Sequence, residues 1–183
     1  MDEKDILRTY REGDTRRAFE EIVRAYKERL YWHVRSLVGS HEDTDDILQE
    51  IFIKIWAALP SFRGDAQLFT WIYRIATNEA LNFLKKQRLR SIFSSSGSED
   101  DGMQLADRLQ ADPYFDGTEA QRLLCVAISK LPPKQRAVFV MRYQDEMKYE
   151  DIAEITGTSV SALKASYHFA YEKVKDFLTK KND

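Results

Sequence analysis

From Ala18 to Val38, apolar residues return every three or four positions (Phe19, Ile22, Val23, Tyr26, Leu30, Val34, Leu37, Val38). This spacing predicts a helix with one buried stripe, stopped by Gly39. The acids of Asp43-Thr-Asp-Asp46 suit a first helical turn. They announce a second helix through Ile47, Leu48, Ile51, Phe52, Ile55, Trp56 and Leu59, ended by Pro60. After the connector SFRGDAQ, a third helix is expected from about Leu68 to Lys86.

Periodicity then stops. IFSSSGSEDDGMQLADRLQADPYFDG clusters Ser, Gly and Asp, which predicts a flexible linker over residues 91–118 between a first domain, 1–90, and a second, 119–183. Helical patterning resumes with Leu123, Leu124, Ala127, Ile128 and Leu131, breaks at Pro132-Pro133, and continues through Val138, Phe139, Met141 and Tyr143, with Pro133 suited to a first turn. A short helix over Tyr149–Ile155, a turn at Thr156-Gly157-Thr158-Ser159 and a long helix from Val160 form a helix-turn-helix pattern, capped by Thr158 or Ser159 and centred on Ile152, Ala153, Val160 and Leu163. No segment reads as a strand, so the fold class is all-α, with two small helical domains.

Composition narrows the class. The chain is 43% apolar and 32% charged, which excludes a wholly disordered polypeptide. The one cysteine, Cys125, can form neither an internal disulfide nor a CxxC knuckle. No apolar run has signal-peptide or membrane-span length, so a soluble cytoplasmic protein without membrane insertion is expected. The net charge of −2 hides a division: residues 91–118 carry −5, and the flanking segments carry +1 and +2. The acidity belongs to the linker, leaving both helical segments compatible with nucleic acid.

No catalytic constellation is present. His33, His41 and His168 lack metal-ligand spacing, and no nucleophile elbow or phosphate loop occurs, so neither an enzyme nor a cofactor is expected. On the third helix, at about 100° per residue, Trp71, Arg74, Asn78, Asn82 and Lys85 share one face. Ile72, Ile75, Ala76, Ala80 and Phe83 take the other. The first face offers an indole for stacking, amides for base edges and cations for phosphates. The same residues also suit a solvated core edge. The preceding loop adds Phe62 and Arg63 around Gly64, components of a pocket for an unstacked base. On the final helix, Leu163, Tyr167, Ala170, Val174, Phe177 and Leu178 turn inward. Ser161, Ala162, Ala165, Phe169 and Glu172 turn outward, flanked by Lys164 and His168. This small, weakly cationic face suits DNA through Ser161, Lys164 and an apolar Phe169, and the same shape serves protein docking.

Two long blocks carry a family resemblance. DTDDILQEIFIKIWAALPSFRGDAQLFTWIYRIATNEALNFLKKQR resembles region 2 of the extracytoplasmic-function group of bacterial sigma-70 family factors, and LPPKQRAVFVMRYQDEMKYEDIAEITGTSVSALKASYHFAYEKVK resembles region 4. The resemblance implies that Asp46, Gln49, Glu50 and Phe52 dock on the clamp coiled coil of core RNA polymerase. It implies that the loop with Phe62 and Arg63 captures a flipped non-template base of the minus-10 element of promoter DNA. Trp71, Arg74, Asn78 and Asn82, with Lys85 on the same face, would contact and help open that element. The recognition helix would read the minus-35 element through Ser159, Ser161, Ala162, Lys164, Ala165, His168 and Phe169. Many such factors are held by an anti-sigma factor. Where the family often carries arginines in that helix, this chain has Ser166, Phe169 and Tyr171, a form that resembles factors of the Bacteroidetes lineage. The alternative reading is a stand-alone helix-turn-helix regulator whose N-terminal helices sense or dimerise.

Overall fold

The computed structural model describes residues 3–93 and 117–180, all helices and turns with no strand among them. The N-terminal unit comprises α1 (Glu3–Arg11), α2 (Thr15–Val38), α3 (His41–Ala58), a 3-10 turn (Leu59–Ser61) and α4 (Leu68–Phe93). The C-terminal unit comprises α5 (Glu119–Ser129), α6 (Pro133–Phe139), a π turn (Val140–Gln144), α7 (Tyr149–Thr156) and α8 (Val160–Lys180). Most of the expected linker, residues 94–116, lies outside the described residues.

Local chemistry sets the helix ends. Asp14 accepts from Arg17 N to start α2, and Gly39, left-handed at φ 81°, ends it. Ser40 caps α3, which therefore begins two residues before the acids that announced it. Thr118 and Gln121 form a reciprocal capping box on α5. Ser159, rather than Thr158, caps the recognition helix by accepting from Ala162 N. α4 outruns its expected end at Lys86 because Gln87-Arg-Leu-Arg90 are good helix formers with no Gly or Pro among them. α1 has no counterpart in the sequence reading. Its Ile6 is buried, and its Glu3 carboxylate accepts from Leu68 N at 2.5 Å, satisfying an N-terminal amide of α4.

α2, α3 and α4 bury Ile22, Leu30, Ile51, Ile55, Ile72 and Ala76 between them. The C-terminal unit closes around Phe139, Val140, Met141, Ile152 and Leu163. The two sets form one continuous apolar cluster: α4 packs on α6 and α7, and α2 on α5 and the π turn. Arg136 joins them, its guanidinium donating to Leu37 O at the end of α2 at 2.7 Å and to Ser129 O and Leu131 O beyond α5.

The helix-turn-helix turn rests on Gly157, left-handed at φ 67°, with open space where a Cβ would stand. Gly157→Ala therefore meets no clash and is expected to lower stability by about 1 kcal/mol, the left-handed strain of a non-glycine residue. Urea denaturation measures it, and Gly157→Asn should recover part of the loss.

Candidate nucleic-acid and protein-docking interface

The polar face of α4 forms as its spacing predicts. Arg74, Asn78, Asn82 and Lys85 are exposed, and Ile72, Ala76 and Ala80 are fully buried, with Ile75 and Phe83 half-buried. Trp71 is half-buried against the core, and Phe62 from the connecting loop lies on it with ring centroids 4.9 Å apart. The loop aromatic and the helix aromatic thus form one pair at the head of the polar face. Arg63 beside them is exposed. Tyr10 of α1 steadies the loop, its hydroxyl donating to Phe62 O at 3.4 Å. Below Asn78, Glu79 is held by Lys54 of α3 at 2.5 Å, fixing α4 against its neighbour.

α4 has a third flank that the helical wheel left unassigned. Thr70, Tyr73 and Thr77, about 200–260° from Trp71, are all buried. Tyr73 and Thr77 face His33 of α2, with Asp145 of the C-terminal unit close by. His33 of α2, 0% exposed, sits between Thr77 Oγ1 (3.0 Å from Nε2) and Asp145 Oδ2 (2.7 Å from Nδ1), its ring edge-on to Tyr73. The carboxylate requires a proton on Nδ1, and in the neutral ring the Thr77 hydroxyl donates to Nε2. Arg74 reaches the same neighbour, donating to Glu154 O of α7 at 2.5 Å. The i, i+3, i+7 spacing of Thr70, Tyr73 and Thr77 was the available signal, masked because all three carry hydroxyls.

On α3, Asp46, Gln49 and Glu50 are exposed, and Phe52 is half-buried edge-on to Phe19 of α2. Sequence reasoning stopped there, yet the same side of the helix continues through Ile53 and Trp56, 59% and 46% exposed. With Phe19, Arg16 and Glu20 they line an open groove of about 620 Å³. Two such exposed large apolar residues beside an aromatic pair mark a contact surface.

On α8 the inward set is buried or half-buried, and Ser161, Ala162, Lys164, Ala165, His168 and Phe169 are exposed. Phe169 is 60% exposed. Lys164 lies over the Tyr149 ring at 5.8 Å, and Glu172 pairs with Lys175 three residues on. Among the described residues no group of His, Cys, Asp or Glu is placed to hold a metal ion, and no helix is long and apolar enough to cross a membrane.

Residues 22–90 match the family described as Sigma-70 region 2, and residues 122–174 that described as Sigma-70, region 4. The chain is 30% identical over 174 residues to the ECF RNA polymerase sigma-E factor of Escherichia coli K12, covering 92% of this chain and 90% of that one. It is 28% identical over 177 residues to the ECF RNA polymerase sigma factor SigW of Bacillus subtilis, covering 94% of each. Its fold resembles CnrH in complex with the cytosolic domain of CnrY (TM-score 0.65, 22% identity, 90% of each chain). It also resembles the sigma factor RpoE in complex with the anti-sigma factor NepR from Bartonella quintana (TM-score 0.66, 21% identity, 88% of this chain and 96% of that one).

Proposed function

Since the chain belongs to the ECF RNA polymerase sigma factors of the sigma-70 family, we propose that its N-terminal unit docks on core RNA polymerase through α3 and opens the minus-10 element through α4, and that α8 reads the minus-35 element. The factor directs promoter-specific initiation, and the phosphodiester chemistry belongs to polymerase. It works in the cytoplasm, where polymerase is, and an anti-sigma factor is a further partner of the kind that holds RpoE in its solved complex. The carrying observation is the pairing, on one short body, of an exposed amide-and-cation face headed by an aromatic pair with a helix-turn-helix. A stand-alone regulator has no need of the first.

Melting costs about 1–2 kcal/mol of stacking per base-pair step. The reading assigns compensation to the Phe62–Trp71 pair, which presents ring surface to an unstacked base, and to Asn78, Asn82 and Lys85, which hold amide and phosphate contacts beyond it. Asn78 and Asn82 are exposed, so the double change to alanine should leave stability within about 0.5 kcal/mol. Permanganate reactivity of minus-10 thymines at a cognate promoter should fall at least tenfold while core binding is retained. Undiminished opening would return these residues to the role of solvated surface.

Docking is assigned to Asp46, Gln49, Glu50 and Phe52, extended along the same side of α3 to Ile53 and Trp56. Ile53→Asp places a carboxylate where a partner would bury apolar surface, and it is expected to weaken association with core polymerase at least tenfold without unfolding the chain. A fluorescence titration of labelled factor with core measures it. Tight core binding by Ile53→Asp would move the docking surface elsewhere.

A further inference from the structure

One stripe of α1 meets both ends of the loop that carries Phe62 and Arg63. Glu3, Ile6 and Tyr10 stand at i, i+3 and i+7, so they share a face of the helix and span about 10 Å along it. Ile6 is 1% exposed and seats the stripe in the core. To one side of that anchor, the Tyr10 hydroxyl donates to Phe62 O at 3.4 Å. To the other, the Glu3 carboxylate accepts from Leu68 N at 2.5 Å. Between those two backbone groups lie Arg63, Gly64, Asp65, Ala66 and Gln67, the first three of them exposed. The sequence around Leu68 gives the loop little to end on. Gln67, whose carbonyl accepts from Trp71 N to begin α4, is not a residue that caps well. The first turn of α4 also has no acid of its own to meet the positive end of its dipole. Glu3 brings both an acceptor and a negative charge from 65 residues away. Trp71 stands one turn beyond Leu68, so the amide that Glu3 holds sets where the indole meets Phe62.

We infer that Glu3 and Tyr10 are positioning residues for strand capture: from α1 they hold the loop at Leu68 and Phe62, keeping Phe62, Arg63 and Trp71 arranged for an unstacked base before DNA arrives. The inference deepens the proposed function and rests on its assignment of this loop to base capture. Neither residue has to touch DNA. A loop that is already ordered loses less conformational freedom when a base enters it, and that saving appears in capture, not in core association or in duplex binding. Ile6 keeps α1 on the core by apolar burial, so removing the two polar contacts loosens the loop while the helix stays seated.

The test uses holoenzyme assembled from the full chain and a cognate promoter with 2-aminopurine placed in turn along the non-template strand of the minus-10 element, where fluorescence rises as a base leaves the stack. Phe62→Ala identifies the position whose signal depends on the loop. At that position Tyr10→Phe, which removes one hydroxyl, should slow capture about threefold, and Glu3→Ala about fivefold or more. Glu3→Gln keeps an acceptor for Leu68 N and should recover most of the loss. Core affinity, and binding to duplex promoter in the cold, should not change. An abasic site at the same position removes what the loop captures, so on that template the variants and wild type should open at equal rates, whereas general damage to the fold would keep them apart. If Glu3→Ala loses helicity by circular dichroism, Tyr10→Phe decides alone. Capture at the wild-type rate by the folded variants, or the same deficit on the abasic template, would overturn the inference. Should Phe62→Ala leave every position at the wild-type signal, the base-capture reading is what fails, and the inference falls with it.

Discussion

Ionisation of Tyr26 and Tyr73 is expected to remove about 4 kcal/mol of folding stability between pH 10 and 12. Burial holds the phenols of Tyr26 and Tyr73 up at about 12. Glu3 adds to the effect at Tyr26 and Asp145 at Tyr73, with Arg29 pulling both the other way. In the unfolded chain both titrate near 10. A neutral phenol is thus preferred by the fold and an ionised one by the unfolded state. The stability is fully present below pH 10 and is lost as pH rises toward the folded value, by about 2–3 kcal/mol for each residue. Urea unfolding at pH 9, 10, 11 and 12 measures the slope. Burial of Arg136 acts in the opposite sense over the same range, so the test is the difference: Tyr26→Phe and Tyr73→Phe should each remove about half of the tyrosine loss, and a slope that neither substitution changes would contradict the assignment.

Arg136→Met is expected to lower stability by about 3 kcal/mol. Its guanidinium is buried, and burial draws its pKa down to about 10, leaving it charged at neutral pH. It supplies donors to Leu37 O, Ser129 O and Leu131 O, carbonyls at the ends of two helices whose dipoles favour a cation there. Methionine keeps much of the volume and removes all three donors. Arg136→Lys should recover at most a third of the loss, because a single ammonium cannot reproduce a planar fork reaching both helix ends. Full rescue by lysine in a thermal melt would show that charge, not fork geometry, matters at this junction.

The all-α class and most helix boundaries were legible because most of the helices bury a single stripe and end at a residue with a physical reason to end them, such as Gly39, Pro60 or Gly157. The outward and inward faces of α8 follow from rotation alone. What was not legible depends on partners distant in sequence. α1 is short and highly charged, and its place comes from Ile6 and from Glu3 capping α4, 65 residues away. The third flank of α4 hides behind two threonines, of which Thr77 finds its partner only in His33 of α2. Trp71 was offered as either a core edge or a stacking surface, and its pairing with Phe62 joins both positions in one contact. Trp56 looked like a member of the buried stripe and Ile53 was assigned to no face, and only three-dimensional packing shows both exposed beside Phe19.

The π turn at Val140–Gln144 has a bearing on ancestry. Asp145 N donates to Val140 O at 3.0 Å, a five-residue step in place of four, so the turn holds one residue more than an α-helix would. Deleting a single codon within it would restore the α step, since a π turn absorbs one extra residue, and would leave one residue fewer between α6 and Asp145, the partner of His33. A relative aligned with a one-residue gap here would have no counterpart to this pairing, however similar its helices. The width of that gap, rather than overall identity, sorts descendants that share the junction from those that do not.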